Sequence, residues 1–177
     1  MSATGRNLYL IGFMGTGKSS VGRLAAQRLG LGLIDSDQAI ERAEGRSITE
    51  IFCKEGEGAF REMERRFAEE GHAPGGLVVS CGGGLVMAPG MLERLKAKGV
   101  VICLHASAET VLARTAGKRH RPLLEGGGAL ERIRRLMAER ERVYRGAHAI
   151  VLTDGRTLAE VAEHVARAYR DLAGGRS

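Results

Sequence analysis

Short apolar runs alternate along the chain with longer segments whose apolar residues recur every three or four positions. A short apolar run bounded by turn residues is typical of a buried strand, and the longer spacing is typical of an amphipathic helix. Their alternation favours an α/β protein. The predicted strands are 7–11, 31–34, 77–80, 99–104 and 149–152. The predicted helices are 20–29, 38–44, 47–52, 59–67, 91–98, 107–114, 129–144 and 158–172.

The loop between the first strand and the first helix reads G-x-x-x-x-G-K-S over residues 12–19, which is the P-loop pattern. Phosphate oxygens need several backbone N–H groups that converge on one point. Glycine allows the positive φ and the open approach that this requires. Lys18 can reach the β- and γ-phosphates, and the Ser19 hydroxyl can bind Mg²⁺. The alternative is a glycine-rich turn in another kind of α/β protein, but a helix that follows at once favours a phosphate site.

Length and charge limit the classes of protein that fit this sequence. The 177 residues suit a single domain with a sizeable core. The formal net charge is +6, but many Lys and Arg residues alternate with Glu, as in residues 62–66 and 139–142. Such mixed runs are typical of solvated helix faces. The basic cluster at 118–121 has no interleaved aromatic residues, so we expect no nucleic-acid partner.

The cysteines and the apolar runs indicate the compartment. Cys53, Cys81 and Cys103 are odd in number and lack C-x-x-C spacing, so neither a disulfide framework nor a zinc site is indicated, and we expect small buried hydrophobic residues. No apolar run has the length of a transmembrane helix, and the N-terminus lacks the pattern of a signal peptide. We expect a cytoplasmic monomer with no membrane partner.

Two carboxylates, Asp35 and Asp37, follow the second predicted strand. Ligands of open α/β sheets bind at the carboxyl ends of strands. One carboxylate could hold Mg²⁺ directly or through water, and the other could accept a proton from an attacking hydroxyl. The alternative is that Asp37 only caps the helix that follows.

Two further motifs have a chemical interpretation. On the helix at 59–67, Glu64 lies three residues after Arg61, so the two can pair and the guanidinium is preorganised to bind another carboxylate. An ordinary surface ion pair is the alternative. The buried strand at 77–80 ends in Ser80 and leads to glycines at 82–84, which weaken a strand end. These glycines favour close approach of a ligand to the backbone.

Taken together and in order, these motifs resemble the shikimate kinase family over nearly the whole chain. They are Gly-Phe-Met-Gly-Thr-Gly-Lys-Ser at 12–19, Asp-Ser-Asp at 35–37, Ile-Phe at 51–52, Gly-Glu at 56–57, Phe-Arg-Glu-Met-Glu at 60–64 and Gly-Gly-Gly at 82–84. The resemblance implies the nucleoside-monophosphate-kinase type of P-loop fold, with a central parallel five-stranded sheet flanked by helices and a lid. It also implies that ATP, with Mg²⁺, phosphorylates the 3-hydroxyl of shikimate.

The resemblance further implies residue roles. The implied catalytic residues are Lys18, Asp37 and Arg121, of which Asp37 would bind ring hydroxyls and take the proton. The implied shikimate site contains Asp37, Arg61, Glu64, Gly82, Gly83, Gly84 and Arg140. The implied ATP site contains Gly15, Thr16, Gly17, Lys18, Ser19, Ser20, Arg114, Arg121 and Arg156, and the implied Mg²⁺ site contains Ser19 and Asp35.

Some of these roles are more specific. Arg61, oriented by Glu64, would bind the shikimate carboxylate, and the Gly83 N–H would donate to the substrate. Ser80 would hold an Mg²⁺-bound water. Arg114 would lie near the adenine, with the loop at 153–156 against it.

Residues 115–127 contain glycines, cations and Pro122, a composition that suits a hinged lid, and residues 37–67 form the implied substrate-binding segment. Closure of such a lid would exclude water, which competes with the acceptor for the phosphoryl group. Two alternatives stay open. A gluconate or nucleoside-monophosphate kinase of the same fold is one, and a P-loop module that has lost catalysis is the other.

Overall fold

Five parallel strands form the central sheet of the computed structural model, which describes residues 5–116 and 127–174. The sheet order is β2-β3-β1-β4-β5, so β3 lies between the first two strands of the chain. Leu8 of β1 is opposite Val78 of β3 on one side and Val100 of β4 on the other. The strands are β1 (Asn7–Gly12), β2 (Gly32–Asp35), β3 (Leu77–Ser80), β4 (Gly99–His105) and β5 (Ala149–Leu152).

Helices cover both faces of this sheet and create two hydrophobic cores. Alternate residues of a strand point to opposite faces. Leu8 and Leu10 of β1 therefore pack with the first and last helices, whereas Tyr9 and Ile11 pack with the helices of the other face. The helices are α1 (Lys18–Leu29), α2 (Ser36–Glu44), α3 (Ile48–Glu70), α4 (Met91–Lys98), α5 (Ala108–Thr115), α6 (Ala129–Arg145) and α7 (Leu158–Ala173), with a 3₁₀ turn at Leu85–Met87.

The predicted strands and helices are confirmed, with one difference at a helix start. The break predicted between the helices at 47–52 and 59–67 is confirmed at Gly56, whose φ of 83° and ψ of 179° are not helical, so α3 consists of two helical parts joined by a kink. The alternative that Asp37 caps the helix after β2 is wrong, because the N-cap of α2 is Asp35. The Asp35 carboxylate accepts from the backbone N–H groups of Asp37 and Gln38, so Asp37 lies in the first helical turn.

The carboxyl ends of the parallel strands meet along one edge of the sheet, and the predicted site residues lie there. β1 leads into the predicted P-loop, and β2 and β3 end at Asp35 and Ser80, which are register partners. Gly12 at the end of β1 is opposite Leu104 of β4. This edge therefore brings together motifs that are far apart in the sequence.

Several predictions lie outside this description or differ from it. Most of the predicted lid, and with it Arg121, falls in residues 117–126, outside the described residues. Cys81 and Cys103 are buried as expected, but Cys53 is exposed. In the described ranges, we find no helix whose length and apolarity would let it cross a membrane. The assignment of the whole chain to one domain stays a prediction.

Candidate active site

The predicted P-loop joins β1 to α1 and depends on glycine at its turns. Gly12, Gly15 and Gly17 have φ values of 144°, 74° and 93°. A Cβ at Gly12 would lie 2.4 Å from the carbonyl oxygen of Leu104, so a side chain there would collide with the backbone of β4. Gly17 is the N-cap of α1 and provides no side-chain hydrogen bond, which leaves the first N–H groups of α1 available to an anion.

Polar side chains of the loop have distinct positions. The Lys18 Nζ donates to the carbonyl oxygens of Gly12 and Phe13, both at 2.9 Å, so its ammonium lies across the loop. The buried Thr16 hydroxyl donates to the Phe13 carbonyl at 2.8 Å and so closes the loop on itself. Ser20 is exposed in the first turn of α1.

Three oxygen-bearing side chains meet where α1, β2 and β3 come together. The Ser19 hydroxyl donates to Asp35 Oδ2 at 3.1 Å and lies 3.4 Å from the Ser80 hydroxyl. Hard cations such as Mg²⁺ prefer oxygen ligands and usually keep several waters. The described residues contain no cluster of three or more His, Cys, Asp or Glu side chains with metal-ligand geometry. Serine, one carboxylate, water and substrate phosphates would still suit Mg²⁺, so the donor set fits the predicted metal.

Asp37 is the carboxylate that points into this site from α2. Burial, and secondarily the nearby Asp35 carboxylate, raise the pKa of Asp37 to about 6, against the opposing charges of Lys18 and Arg61. A Cβ at Gly82 would lie only 2.5 Å from Asp37 Oδ1, so the glycine lets the carboxylate approach the backbone. A carboxylate with this pKa is ionised at pH 7 and is more basic than an ordinary aspartate.

The Gly82 N–H bonds to a residue for which the sequence predicted no role. It donates to the hydroxyl of Ser36, a fully buried side chain between the two aspartates, at 2.8 Å. The position of a small hydroxyl residue inside the Asp-x-Asp motif is the sequence signal that could have identified it. The absence of a side chain at Gly82 makes room for Asp37, whereas the Gly82 N–H already bonds to Ser36.

Arg61 on α3 is held by two carboxylates. Its Nη1 donates to Glu64 Oε2 at 2.5 Å and its Nη2 donates to Glu57 Oε1 at 3.0 Å. The first pairing is the predicted one. Burial raises the pKa of Glu64 to about 7, although the Arg61 guanidinium acts in the opposite direction. A Cβ at Gly84 would lie 2.5 Å from Arg61 Nη1, so this glycine makes room for the guanidinium.

The middle glycine of the triplet is contacted from α6. Arg140 Nη1 and the Tyr144 hydroxyl each donate to the Gly83 carbonyl oxygen at 3.3 Å. The Arg140 guanidinium carbon also lies 5.3 Å from the centre of the Phe13 ring, within the range of a cation–π interaction. Arg140 thus lies between the glycine turn and the P-loop. The sequence interpretation assigned no site role to Phe13 or Tyr144.

Two predicted arginines lie on the other side of the P-loop. Arg114 at the end of α5 donates to the Gly15 carbonyl at 3.3 Å and to the Thr153 hydroxyl at 2.9 Å. It therefore connects the P-loop to the loop that follows β5. Arg156 in that loop donates to the Leu152 carbonyl at 2.8 Å. Asp154, which had no predicted role, holds the loop by accepting from the Ser107 N–H.

Comparison with known proteins gives consistent results over the whole described fold. A family model described as shikimate kinase matches residues 14–170. The chain is 40% identical over 172 residues to a shikimate kinase of Thermodesulfovibrio yellowstonii, covering 97% of this chain and 99% of that protein. It is 48% identical over 157 residues to a shikimate kinase of Thermus thermophilus, covering 88% of this chain and 85% of that protein.

Solved structures show the same similarity. A shikimate kinase from Acinetobacter baumannii, solved in complex with shikimate, superimposes with a TM-score of 0.87 at 35% identity, covering 98% of this chain and 97% of that one. A gluconokinase from Sinorhizobium meliloti 1021 gives a TM-score of 0.59 at 18% identity over 97% of this chain and 95% of that one, which is a likeness of fold alone.

Proposed function

The chain belongs to the shikimate kinase family, and from this premise we propose that it transfers the γ-phosphoryl group of ATP to the 3-hydroxyl of shikimate. The products are shikimate 3-phosphate and ADP, and the reaction belongs to chorismate and aromatic amino acid biosynthesis. The protein is an ATP-dependent kinase with the predicted P-loop fold of the nucleoside-monophosphate-kinase type.

One observation carries the proposal. The half-buried Asp37 carboxylate and the carboxylate-paired Arg61 lie against Gly82 and Gly84 of one glycine turn, and the P-loop lies beside Gly83 of the same turn. The charges of Lys18 and Arg61 also act on the pKa of Asp37, in agreement with this arrangement. A phosphate site on one side and a site for a hydroxylated carboxylic acid on the other are what this phosphoryl transfer needs.

On the nucleotide side, the N–H groups of Gly15, Thr16 and Gly17 and the early turn of α1, including Ser20, would bind the phosphates. Lys18 would exchange its two loop carbonyls for phosphate oxygens. Ser19 and Asp35 would hold Mg²⁺, and Ser80 would hold one of its waters. When bound, the cation would neutralise charge on the β- and γ-phosphates. Arg114 and Arg156 would border the adenine.

On the acceptor side, Arg61 and Arg140 would bind the shikimate carboxylate, with Glu64 orienting the first of them. The Gly83 N–H would donate to the substrate, because the Gly83 carbonyl is fixed by Arg140 and Tyr144. Asp37 would align the 3-hydroxyl and take its proton as the bond to phosphorus forms.

Four further features belong to the proposal. Arg121, in the predicted lid, would contact the transferring phosphoryl group. The enzyme would act as a monomer, in the cytoplasm, and without nucleic acid or membrane partners.

An ADP-release assay with shikimate, gluconate and CMP as acceptors tests the proposal. We expect shikimate-dependent ADP release that needs Mg²⁺ and is lost in Lys18→Met, with little release for the other two acceptors. A preference for gluconate or CMP would overturn the acceptor assignment. No release with any acceptor, from protein that still binds ATP, would support the inactive module instead.

A further inference from the structure

The guanidinium that would bind the substrate carboxylate already bonds to two carboxylates of the protein. Arg61 Nη1 donates to Glu64 and Nη2 donates to Glu57. A substrate carboxylate that binds bidentately needs two parallel N–H groups of the same guanidinium. Such pairs exist along the Nη1–Nη2 edge and along the Nη2–Nε edge, and Nη2 belongs to both. Each edge uses a different one of the two N–H groups on Nη2, so Glu57 occupies a donor at one edge and competes there with an incoming carboxylate.

The two glutamates differ in how firmly they are held. The Glu64 side chain is 2% exposed and lies within the packed face of α3, so it stays with the arginine. The Glu57 side chain is 67% exposed and can turn into solvent. It also follows Gly56, whose φ of 83° marks the kink of α3, so Glu57 opens the second half of that helix. Only Glu57 can give up its contact at low cost, because exposed ion pairs contribute little stability.

The surroundings of Arg61 add a charge effect to this competition. The negative groups near it are Glu57, Glu64 and Asp37: both glutamates bond to Arg61, and the charges of Asp37 and Glu57 raise the pKa of Glu64. These carboxylates repel an anionic acceptor that binds to the guanidinium. Displacing Glu57 moves one negative charge away from the acceptor, whereas leaving it in place keeps the arginine neutralised.

Building on the proposed function, we propose that Glu57 is an internal competitor for the acceptor carboxylate at Arg61. It acts as a specificity-determining residue, since a carboxylate, unlike a neutral group, can compete with Glu57 for Nη2. A neutral polyol of similar shape gains nothing from Arg61, because Glu57 then keeps its bond. The chemical class selected is a small hydroxylated carboxylic acid, and the selection lowers the affinity for that acid.

Calorimetric binding of shikimate to Glu57→Gln, Glu57→Ala and Glu62→Gln tests this inference. Glu62 is the matched control, because it loses the same charge from the same helix but pairs with Arg65. We expect both Glu57 variants to bind shikimate about two- to fivefold more tightly than the parent protein, the range for release of an exposed ion pair. The control and the affinity for ATP should change little.

The outcomes separate clearly. Partial unfolding cannot imitate tighter binding, so a gain confined to the Glu57 variants supports the inference. Equal or weaker binding in both Glu57 variants would show that Glu57 only supports Arg61. The same gain in Glu62→Gln would show that the tighter binding comes from the change in net charge, and it would overturn the inference. Failure of the parent protein itself to bind shikimate would instead overturn the proposed function, and the inference with it.

Discussion

Ser36 and Gly82, which are 46 positions apart, are joined by a hydrogen bond of 2.8 Å from the glycine N–H to the serine hydroxyl. The bond ties the first turn of α2 to the glycine turn after β3. Asp37 extends from the first element and Gly83 belongs to the second. The distance between Asp37, the proposed base, and the Gly83 N–H, the proposed donor, therefore depends on the Ser36 side chain, which need not touch the substrate.

Ser36→Ala tests this dependence. The substitution leaves the half-buried Gly82 N–H without its serine partner, which costs about 1 kcal/mol of folding free energy. We expect a lower midpoint of thermal unfolding and a loss of shikimate affinity that exceeds the loss of ATP affinity. Calorimetry with each substrate measures the two affinities. Unchanged stability together with unchanged shikimate binding would show that the hydrogen bond has no positioning role.

Arg61→Lys keeps the positive charge but removes the planar fork of the guanidinium. Loss of one charge-assisted hydrogen bond is worth about 1.5–3 kcal/mol, so shikimate affinity should fall about ten- to a hundredfold. Arg65→Lys on the same helix is the control, because Arg65 pairs with Glu62 and Glu69 rather than with site residues. Isothermal titration with shikimate and ATP provides the measurement. Parental affinity for shikimate in Arg61→Lys would remove Arg61 from the acceptor site.

Asp37→Asn keeps the shape of the side chain but cannot accept the proton. We expect kcat to fall by about 10²–10⁴, the usual range for a positioned acid–base group. Single-turnover phosphorylation of shikimate measures the chemical step, and ATP affinity of the same variant is the control. Near-parental turnover would leave Asp37 as an orienting residue. Loss of ATP binding would mean that Asp35 and Asp37 have exchanged roles.

The same substitution should stabilise the fold at neutral pH. The pKa of Asp37 is raised from 3.8 to about 6, so the folded protein holds its ionised form at a cost above pH 6. That cost disappears as the pH falls through 6 toward 4, where the group is protonated in the folded state. We expect Asp37→Asn to exceed the parent in free energy of unfolding by about 1–3 kcal/mol at pH 7.5 and by much less at pH 4.5.

Urea denaturation of both proteins at the two pH values measures this difference. The two proteins share every other titrating group, so the difference reports Asp37 together with its charge effect on Glu64. An equal difference at both pH values would show that folding does not raise the pKa of Asp37.

Features that are local in the sequence were predictable, and features that depend on packing were not. The P-loop is one uninterrupted motif, and Arg61 and Glu64 are three residues apart on one helix, so spacing alone predicted both. The contact of Arg140 with Phe13 joins α6 to a loop that is far away in the sequence, and no spacing rule reports it. The same holds for Tyr144 at Gly83.

The start of α2 is one feature that the sequence left open. Asp35 and Asp37 are both suitable N-caps, and the sequence cannot tell which one begins a helix when the preceding strand is short. The predicted break is present at Gly56, whose backbone is not helical. The helical parts on either side of it stay packed together, because apolar residues such as Ile51 and Phe60 share one core.

The glycine turn also predicts how this protein would change if selection for its activity ended. Side chains at Gly82 and Gly84 would meet only the ends of Asp37 and Arg61, which can move aside without disturbing the core. A side chain at Gly12 would meet the backbone of β4, which cannot. A descendant under selection for folding alone would therefore tolerate alanine at 82 and 84 while it kept glycine at 12. Intact glycines at 82 and 84 beside Asp37 and Arg61 are thus a mark of continued selection for catalysis.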